Sequence, residues 1–232
     1  MSEIDGRPWQ IFIEGQVYAP AKAPWRDDPA FAVITEHAGL RDSLGGDVAR
    51  ALTLALEMVR ATADVDLLDI ARARRPAQGL CLGFGMNALE PYDLLRVFGL
   101  DRVHAYEWIG EQVVEAARML QELRADDPLL PGRIRLYHES LSNLSALPDA
   151  SIRIVYTANV FNAEIPMTPE TFHAAVRETL RVLSAGGVVI SRGSIGSLEA
   201  HLAPHGRMLL QTGLVSVFQK QETVERPNSH CR

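Results

Sequence analysis

The stretch Gly79-Leu80-Cys81-Leu82-Gly83-Phe84-Gly85-Met86-Asn87 constrains the fold more than any other part of this chain. An apolar run that ends in a Gly-x-Gly turn and leads into a helix-like segment, residues 88–98, reads as the first βα unit of a nucleotide-binding sheet. Gly83 and Gly85 lack a Cβ, so the backbone can turn sharply there and a ligand can approach it closely. Such a turn is common on its own, and its weight depends on the rest of the chain.

Residues 103–108 read as a second strand with an acidic residue near its end. Glu107 comes after Gly85 at about the twenty-residue spacing where a nucleotide-binding βαβ unit places the carboxylate that accepts hydrogen bonds from both ribose hydroxyls. Residues 109–123 carry helical periodicity, and Pro128 and Pro131 then break the chain. Residues 133–137 alternate as a third strand, with His138, Glu139 and Ser140 at its end. The turn Leu147-Pro148-Asp149 opens a fourth strand, 152–157, with Asn159 just beyond it. A helix over 169–183 ends at Gly186-Gly187, and the short apolar run 188–190 suits a central parallel strand. After a short helix, 197–202, two strands at 207–211 and 214–219 flank a turn tight enough for an antiparallel hairpin. The parallel strands thus deliver polar residues at their carboxyl ends, where open α/β sheets bind ligands.

Residues 1–46 carry scattered aromatics and four prolines (Pro8, Pro20, Pro24, Pro29), which predicts short elements and loops that need another surface to pack on. They form either a lid over a pocket, with Tyr18 and Trp25 facing a substrate, or an arm whose aromatics dock on the core. Residues 47–63 read as an amphipathic helix with Asp47 as its N-cap, and a shorter helix comes next over 66–73. Arg72, Arg74 and Arg75 read as a solvated helix end near the negative pole of the dipole. The predicted organisation is a cap with helices over 1–76, a nucleotide-binding core over 77–220 and a polar tail over 221–232.

A length of 232 residues and an apolar fraction of 47% suit one α/β domain with an appendage. The net charge of −6 argues against a general electrostatic grip on nucleic acid, which makes a small molecule the expected partner. No apolar run is long enough to span a bilayer, and the first residues have neither the basic region nor the apolar segment of a signal peptide, so a cytoplasmic protein without a membrane partner is expected. The two cysteines, Cys81 and Cys231, suggest neither a disulfide framework nor a metal site.

In order and spacing, these blocks resemble the class I S-adenosylmethionine-dependent methyltransferases over residues 78–219. Gly83-Phe84-Gly85 is similar to the family's glycine motif and Glu107 to its acidic residue on the second strand. Residues 147–156 resemble the turn into the fourth strand, and 177–187 the helix and Gly-Gly turn before the fifth. The resemblance implies a three-layer Rossmann-like sandwich, with a seven-stranded, mostly parallel sheet whose last strand is antiparallel, plus the N-terminal helical and loop cap. It also implies that Gly83, Phe84 and Gly85 approach the methionine part of S-adenosylmethionine and that Glu107 binds the ribose. Trp108 would pack on the adenine, with Glu139, Ser140 and Leu141 along its edge, and the backbone from Thr157 to Asn159 would border the transferable methyl group. Two positions depart from the pattern: the family usually has an acidic residue where Cys81 stands, and often a third glycine where Asn87 stands.

The expected activity is methyl transfer to an oxygen or nitrogen atom of a small-molecule acceptor, with S-adenosylhomocysteine as product. Such a displacement depends mainly on positioning and the exclusion of water. A general base helps when the acceptor is a hydroxyl or a protonated amine; His138 and Tyr18 are candidates, and His37 is a third. Asn159 could orient the acceptor. Asn159-Val160-Phe161-Asn162 lacks the prolines of the block used by family members that methylate amino groups of nucleobases or glutamine. Two other readings stay open: a non-catalytic or repurposed binding protein of the same fold, and an NAD(P)-dependent oxidoreductase. A homodimer through the cap is the oligomer left open.

Overall fold

The computed structural model describes residues 11–13, 16–18, 41–85, 89–123, 129–161, 167–193, 197–212 and 215–221. Trp25, His37, Asn87, Asn162 and the tail over 222–232 lie outside the described residues. In the N-terminal part, β1 (Ile11–Ile13) and β2 (Gln16–Tyr18) pair antiparallel as a small separate sheet.

The main sheet comprises β3 (Gln78–Leu82), β4 (Arg102–Glu107), β5 (Ile134–His138), β6 (Ile152–Ala158), β7 (Leu183–Arg192), β8 (Gly206–Gln211) and β9 (Val215–Lys220), in the order β5-β4-β3-β6-β7-β9-β8. β3 to β7 pair with one another in parallel, whereas β9 is antiparallel to both β7 and β8. The tight turn between β8 and β9 reverses the chain. Thr212 closes it, its N–H donating to Val215 O at 3.0 Å and its Oγ1 accepting from Val215 N at 2.9 Å. Strand order reverses between β3 and β6, so the crevice at the carboxyl ends of these strands is the topological switch point where such sheets place ligands.

Helices cover both faces. α1 (Arg41–Ala63), α2 (Leu67–Arg72), α3 (Leu89–Phe98) and α4 (Gly110–Leu123) pack on one. α6 (Pro169–Val182) and α7 (Ser197–Leu202) pack on the other, with Leu141, Leu144 and Leu147 of the connection before β6. Side chains alternate across a strand, so Leu80 and Leu82 enter the α6 side while Cys81 between them enters the α1 side. The stripe Val48, Leu52, Ala55 and Val59 places α1 in the layer on the sheet. No described helix is long and apolar enough to cross a membrane.

Several expected boundaries move. α1 begins at Arg41, so Asp47 lies inside the helix rather than capping it. Gly45 and Gly46 each cost about 1 kcal/mol relative to alanine in a helix, which masks the first turns in the sequence. Pro131 does not break the chain: it stands in the first turn of a four-residue helix, α5 (Leu130–Arg133), where its missing N–H has no helical partner to lose. α6 ends at Val182, and Gly186-Gly187 fall in the irregular start of β7, between the pairings Ile152↔Leu183 and Ile154↔Val188. The arginines after α2 are not merely solvated: Arg74 donates to Ala150 O at 2.8 Å and Arg75 pairs with Asp101 at 2.9 Å.

At the amino ends of β6 and β7, cations tie the layers together. Arg181 donates to Leu144 O and Leu147 O at 2.9 and 3.0 Å and pairs with Glu178 and Asp149 at 2.8 and 2.6 Å. Arg153 reaches Ile70 O at 3.0 Å, Ser184 Oγ at 3.1 Å and Ala185 O at 2.8 Å.

Candidate functional site

The glycine turn leaves β3 with two left-handed residues, Gly83 at φ 66° and Gly85 at φ 57°. Gly83 N–H donates to Tyr106 O at 2.8 Å, and a Cβ at this position would run into the Val160 side chain. Gly85 differs: among the described residues a Cβ there would meet only Gln112 Oε1, at 3.7 Å, so no described side chain fills this side of the turn. Phe84 between them is buried in the core beneath α1 to α4, so its side chain anchors the turn and only its backbone lies at the surface of the site.

Glu107 ends β4 and is 4% exposed. Its Oε2 accepts Gly85 N–H at 3.0 Å, and its Oε1 accepts the N–H groups of Trp108 and Ile109 at 2.8 and 3.0 Å. Burial pushes its carboxyl pKa up, and the three backbone donors oppose that rise. With one donor on Oε2, a second lone pair remains for another, such as a ribose hydroxyl. The glycine turn and Glu107, which the sequence assigns separately to a cofactor, are joined by a direct hydrogen bond.

The end of β5 lies alongside. His138 Nε2 and Trp108 O are 3.1 Å apart, and Glu139 N–H donates to Glu107 O at 3.1 Å. Ser140 turns the chain: its Oγ is 2.7 Å from Ser142 Oγ and accepts Ser142 N–H at 3.2 Å. Leu141 belongs to the core on the α6 side. Thr157 is buried with no hydrogen-bond partner for its Oγ1. Asn159 is exposed at φ 56°, its N–H held by Arg192 O at 2.8 Å. The fold thus gathers Gly83, Gly85, Glu107, Trp108, His138 and Glu139 at one edge, with Thr157 and Asn159 at the end of β6. Tyr18 lies in β2, and its side chain is outside the described residues.

One group escaped the sequence reading. Glu90, in the first turn of α3, has its Oε2 sealed from solvent with no hydrogen-bond partner. Burial raises its pKa to about 8, Arg192 pulls it down, and Glu107 and Asp93 push it further up. The Cys81 thiol is pushed up by burial first, then by Glu90 and Glu107. Tyr156, paired with Cys81 across the sheet, is raised by burial and then by Glu90 and Cys81; its hydroxyl has no partner of hydrogen-bonding geometry, although the Arg192 guanidinium lies beside it. The only sequence signal for Glu90 is an acidic residue opening the helix after the glycine turn, which also suits the helix dipole.

With this strand order and this site, the chain has the fold of the class I S-adenosylmethionine-dependent methyltransferases. The chain is similar to a protein from Methanococcus maripaludis described as an S-adenosyl-L-methionine-dependent methyltransferase: TM-score 0.52 at 13% identity, over 83% of this chain and 93% of that one. A predicted O-methyltransferase from Agrobacterium tumefaciens gives a TM-score of 0.48 at 19% identity, over 68% of this chain and 80% of that one. A SAM-dependent methyltransferase from Aquifex aeolicus gives 0.44 at 17% identity, over 62% and 80%. The chain spans less than half of three other solved structures that it matches, 47%, 37% and 43% of their lengths. No protein-family model matches the sequence, and no curated protein does.

Proposed function

We propose that this protein transfers a methyl group from S-adenosylmethionine to an oxygen or nitrogen atom of a small-molecule acceptor, releasing S-adenosylhomocysteine. The observation that carries this reading is the Gly85 N–H to Glu107 Oε2 hydrogen bond, which fixes an open turn and a buried carboxylate at the switch point of the sheet. Gly83 and Gly85 give the methionine part of the cofactor a close approach, Glu107 accepts from the ribose, Trp108 packs on the adenine, and Glu139 to Leu141 line its edge. Bound S-adenosylmethionine would supply a methyl group already activated by positively charged sulfur. The chain's own residues then have to orient the acceptor and exclude water.

In this reading residues 77–220 hold the cofactor, residues 1–76 contribute the acceptor pocket and 221–232 form a tail. Asn159, at the end of β6, orients the acceptor, and His138 or Tyr18 accepts its proton. The protein works in cytoplasmic small-molecule metabolism without nucleic acid or membrane, and pairing through the cap would make it a homodimer. Titration calorimetry with S-adenosylmethionine, S-adenosylhomocysteine and NADH tests the reading. Binding of the first two and not of NADH is expected, and folded protein that binds neither adenosyl compound overturns it.

The buried neutral thiol of Cys81 favours a second reading, a binding protein of this fold without transfer activity. Adenosyl binding without methyl transfer to any acceptor in a broad metabolite panel would select it.

A further inference from the structure

Glu90 and Arg192 belong to elements about a hundred residues apart in sequence, the first turn of α3 and the last residue of β7. The fold brings them to one place. Val188, Ile190 and Arg192 alternate onto the sheet face that also carries Cys81 and Tyr156, and Ala158 pairs with Arg192 across the sheet. Arg192 lies near enough to pull the Glu90 pKa down, yet among the described residues Glu90 Oε2 hydrogen-bonds neither Arg192 nor any other group. A sealed carboxylate oxygen without a donor is costly, and a nearby guanidinium that does not bond it leaves that cost standing. The neighbours do not relieve it: Glu107 and Asp93 are acidic, Cys81 is a buried thiol, and the Tyr156 hydroxyl has no hydrogen-bond partner among the described residues.

A carboxyl group and a guanidinium that lie near each other without bonding match a ligand that carries both an ammonium and a carboxylate. We propose that Glu90 and Arg192 form a receptor for an α-amino-acid zwitterion, Glu90 receiving the ammonium group and Arg192 the carboxylate. Glu90 thereby supplies, from the helix, the carboxylate that Cys81 does not supply from β3. The inference rests on the proposed function, since the zwitterion is then the amino-acid end of the adenosyl compound beside the glycine turn. A bound ammonium group stabilises the Glu90 carboxylate, so binding near neutral pH drives a proton off it.

The test compares S-adenosylhomocysteine, which has the zwitterionic end, with 5′-methylthioadenosine, which lacks it, by titration calorimetry. Glu90→Gln is expected to weaken S-adenosylhomocysteine at least tenfold and to leave 5′-methylthioadenosine within twofold; Arg192→Met is expected to do the same. In the unaltered protein, S-adenosylhomocysteine affinity is expected to rise roughly tenfold from pH 6 to 7, with proton release that varies with buffer ionisation enthalpy, while 5′-methylthioadenosine affinity stays flat. This second measurement needs no variant to fold. Equal losses for both ligands, no loss for either, or a flat pH profile for S-adenosylhomocysteine overturns the receptor while the methyltransferase reading stands. Failure of the unaltered protein to bind either ligand overturns both.

Discussion

The arginines that tie the amino ends of β6 and β7 and the polar groups near the carboxyl ends of β3 and β6 are partnered in opposite ways. At the amino ends, Arg181 and Arg153 are matched by carboxylates, carbonyls and a hydroxyl at 2.6 to 3.1 Å. His104, inside β4, is matched too, with Tyr137 OH and Gln78 Oε1 both at 2.9 Å, and burial lowers its pKa to about 4. At the carboxyl ends, Glu90 Oε2, Tyr156 OH and Thr157 Oγ1 have no partner. A satisfied network ties layers together and stabilises them. Orphaned groups cost stability, and those at the switch point beside the glycine turn are the ones that the proposed ligand would partner.

This contrast can be broken most sharply by Arg181→Met. It should cost about 2–3 kcal/mol, because it removes several hydrogen bonds at once and leaves Glu178 without its main partner. Urea denaturation measures the loss, and adenosyl binding should not change; if binding falls instead, the amino end is not purely structural. Glu107→Ala should have the reverse emphasis: about a hundredfold weaker adenosyl binding, or roughly 2.7 kcal/mol, with a smaller loss of stability as three N–H groups lose their acceptor. Calorimetry and urea melts on the same sample separate the two effects.

The ends should also differ in the sign of their pH dependence. Hydrogen bonding from Arg181 is the leading cause that depresses the Glu178 pKa, so its contribution is present above the ordinary carboxylate range and is lost as pH falls through its folded value. Glu90 is raised to about 8, so between its ordinary value and 8 the folded state binds more protons than the unfolded state, and stability falls as pH rises. Glu90→Gln should therefore remove most of the decline between pH 6.5 and 8, a gain of order 2 kcal/mol at pH 8. Denaturation at both pH values checks it, and an unchanged decline would place the titration elsewhere.

The smallest effect separates the two glycines. Gly83→Ala should cost about 2 kcal/mol, because a left-handed backbone is strained and its Cβ meets Val160; Gly85→Ala should cost about 1 kcal/mol, from backbone strain alone. Only Gly85→Ala should weaken adenosyl binding out of proportion to its stability loss, since its Cβ points to the open side.

Much of this was legible in the sequence, for local reasons. The apolar run at β3, the Gly-x-Gly turn and Glu107 at the expected spacing form a unit whose parts are close in the chain, and the hydrogen bond between Gly85 and Glu107 joins them. The Thr212-Gly213 turn likewise predicts the antiparallel pairing of β8 and β9, because a short connection leaves no other geometry. Boundaries were less legible where tertiary contacts outweigh propensity. The buried stripe of α1 carries the helix on past Gly45 and Gly46, and the pairing of Leu183 with Ile152 starts β7 before the Gly-Gly step.

The glycine turn, the acidic strand end and the alternation of apolar segments therefore determined, from sequence alone, a mostly parallel α/β sheet with polar residues at its carboxyl edge, because periodicity and turn chemistry act over a few residues. Tertiary structure alone decided that Glu90 comes near both Cys81 and Arg192. In the sequence Glu90 is an ordinary first-turn acid, about a hundred residues from that arginine. Only the order in which β3, β6 and β7 pair brings the two groups near each other and seals the carboxylate oxygen without a partner.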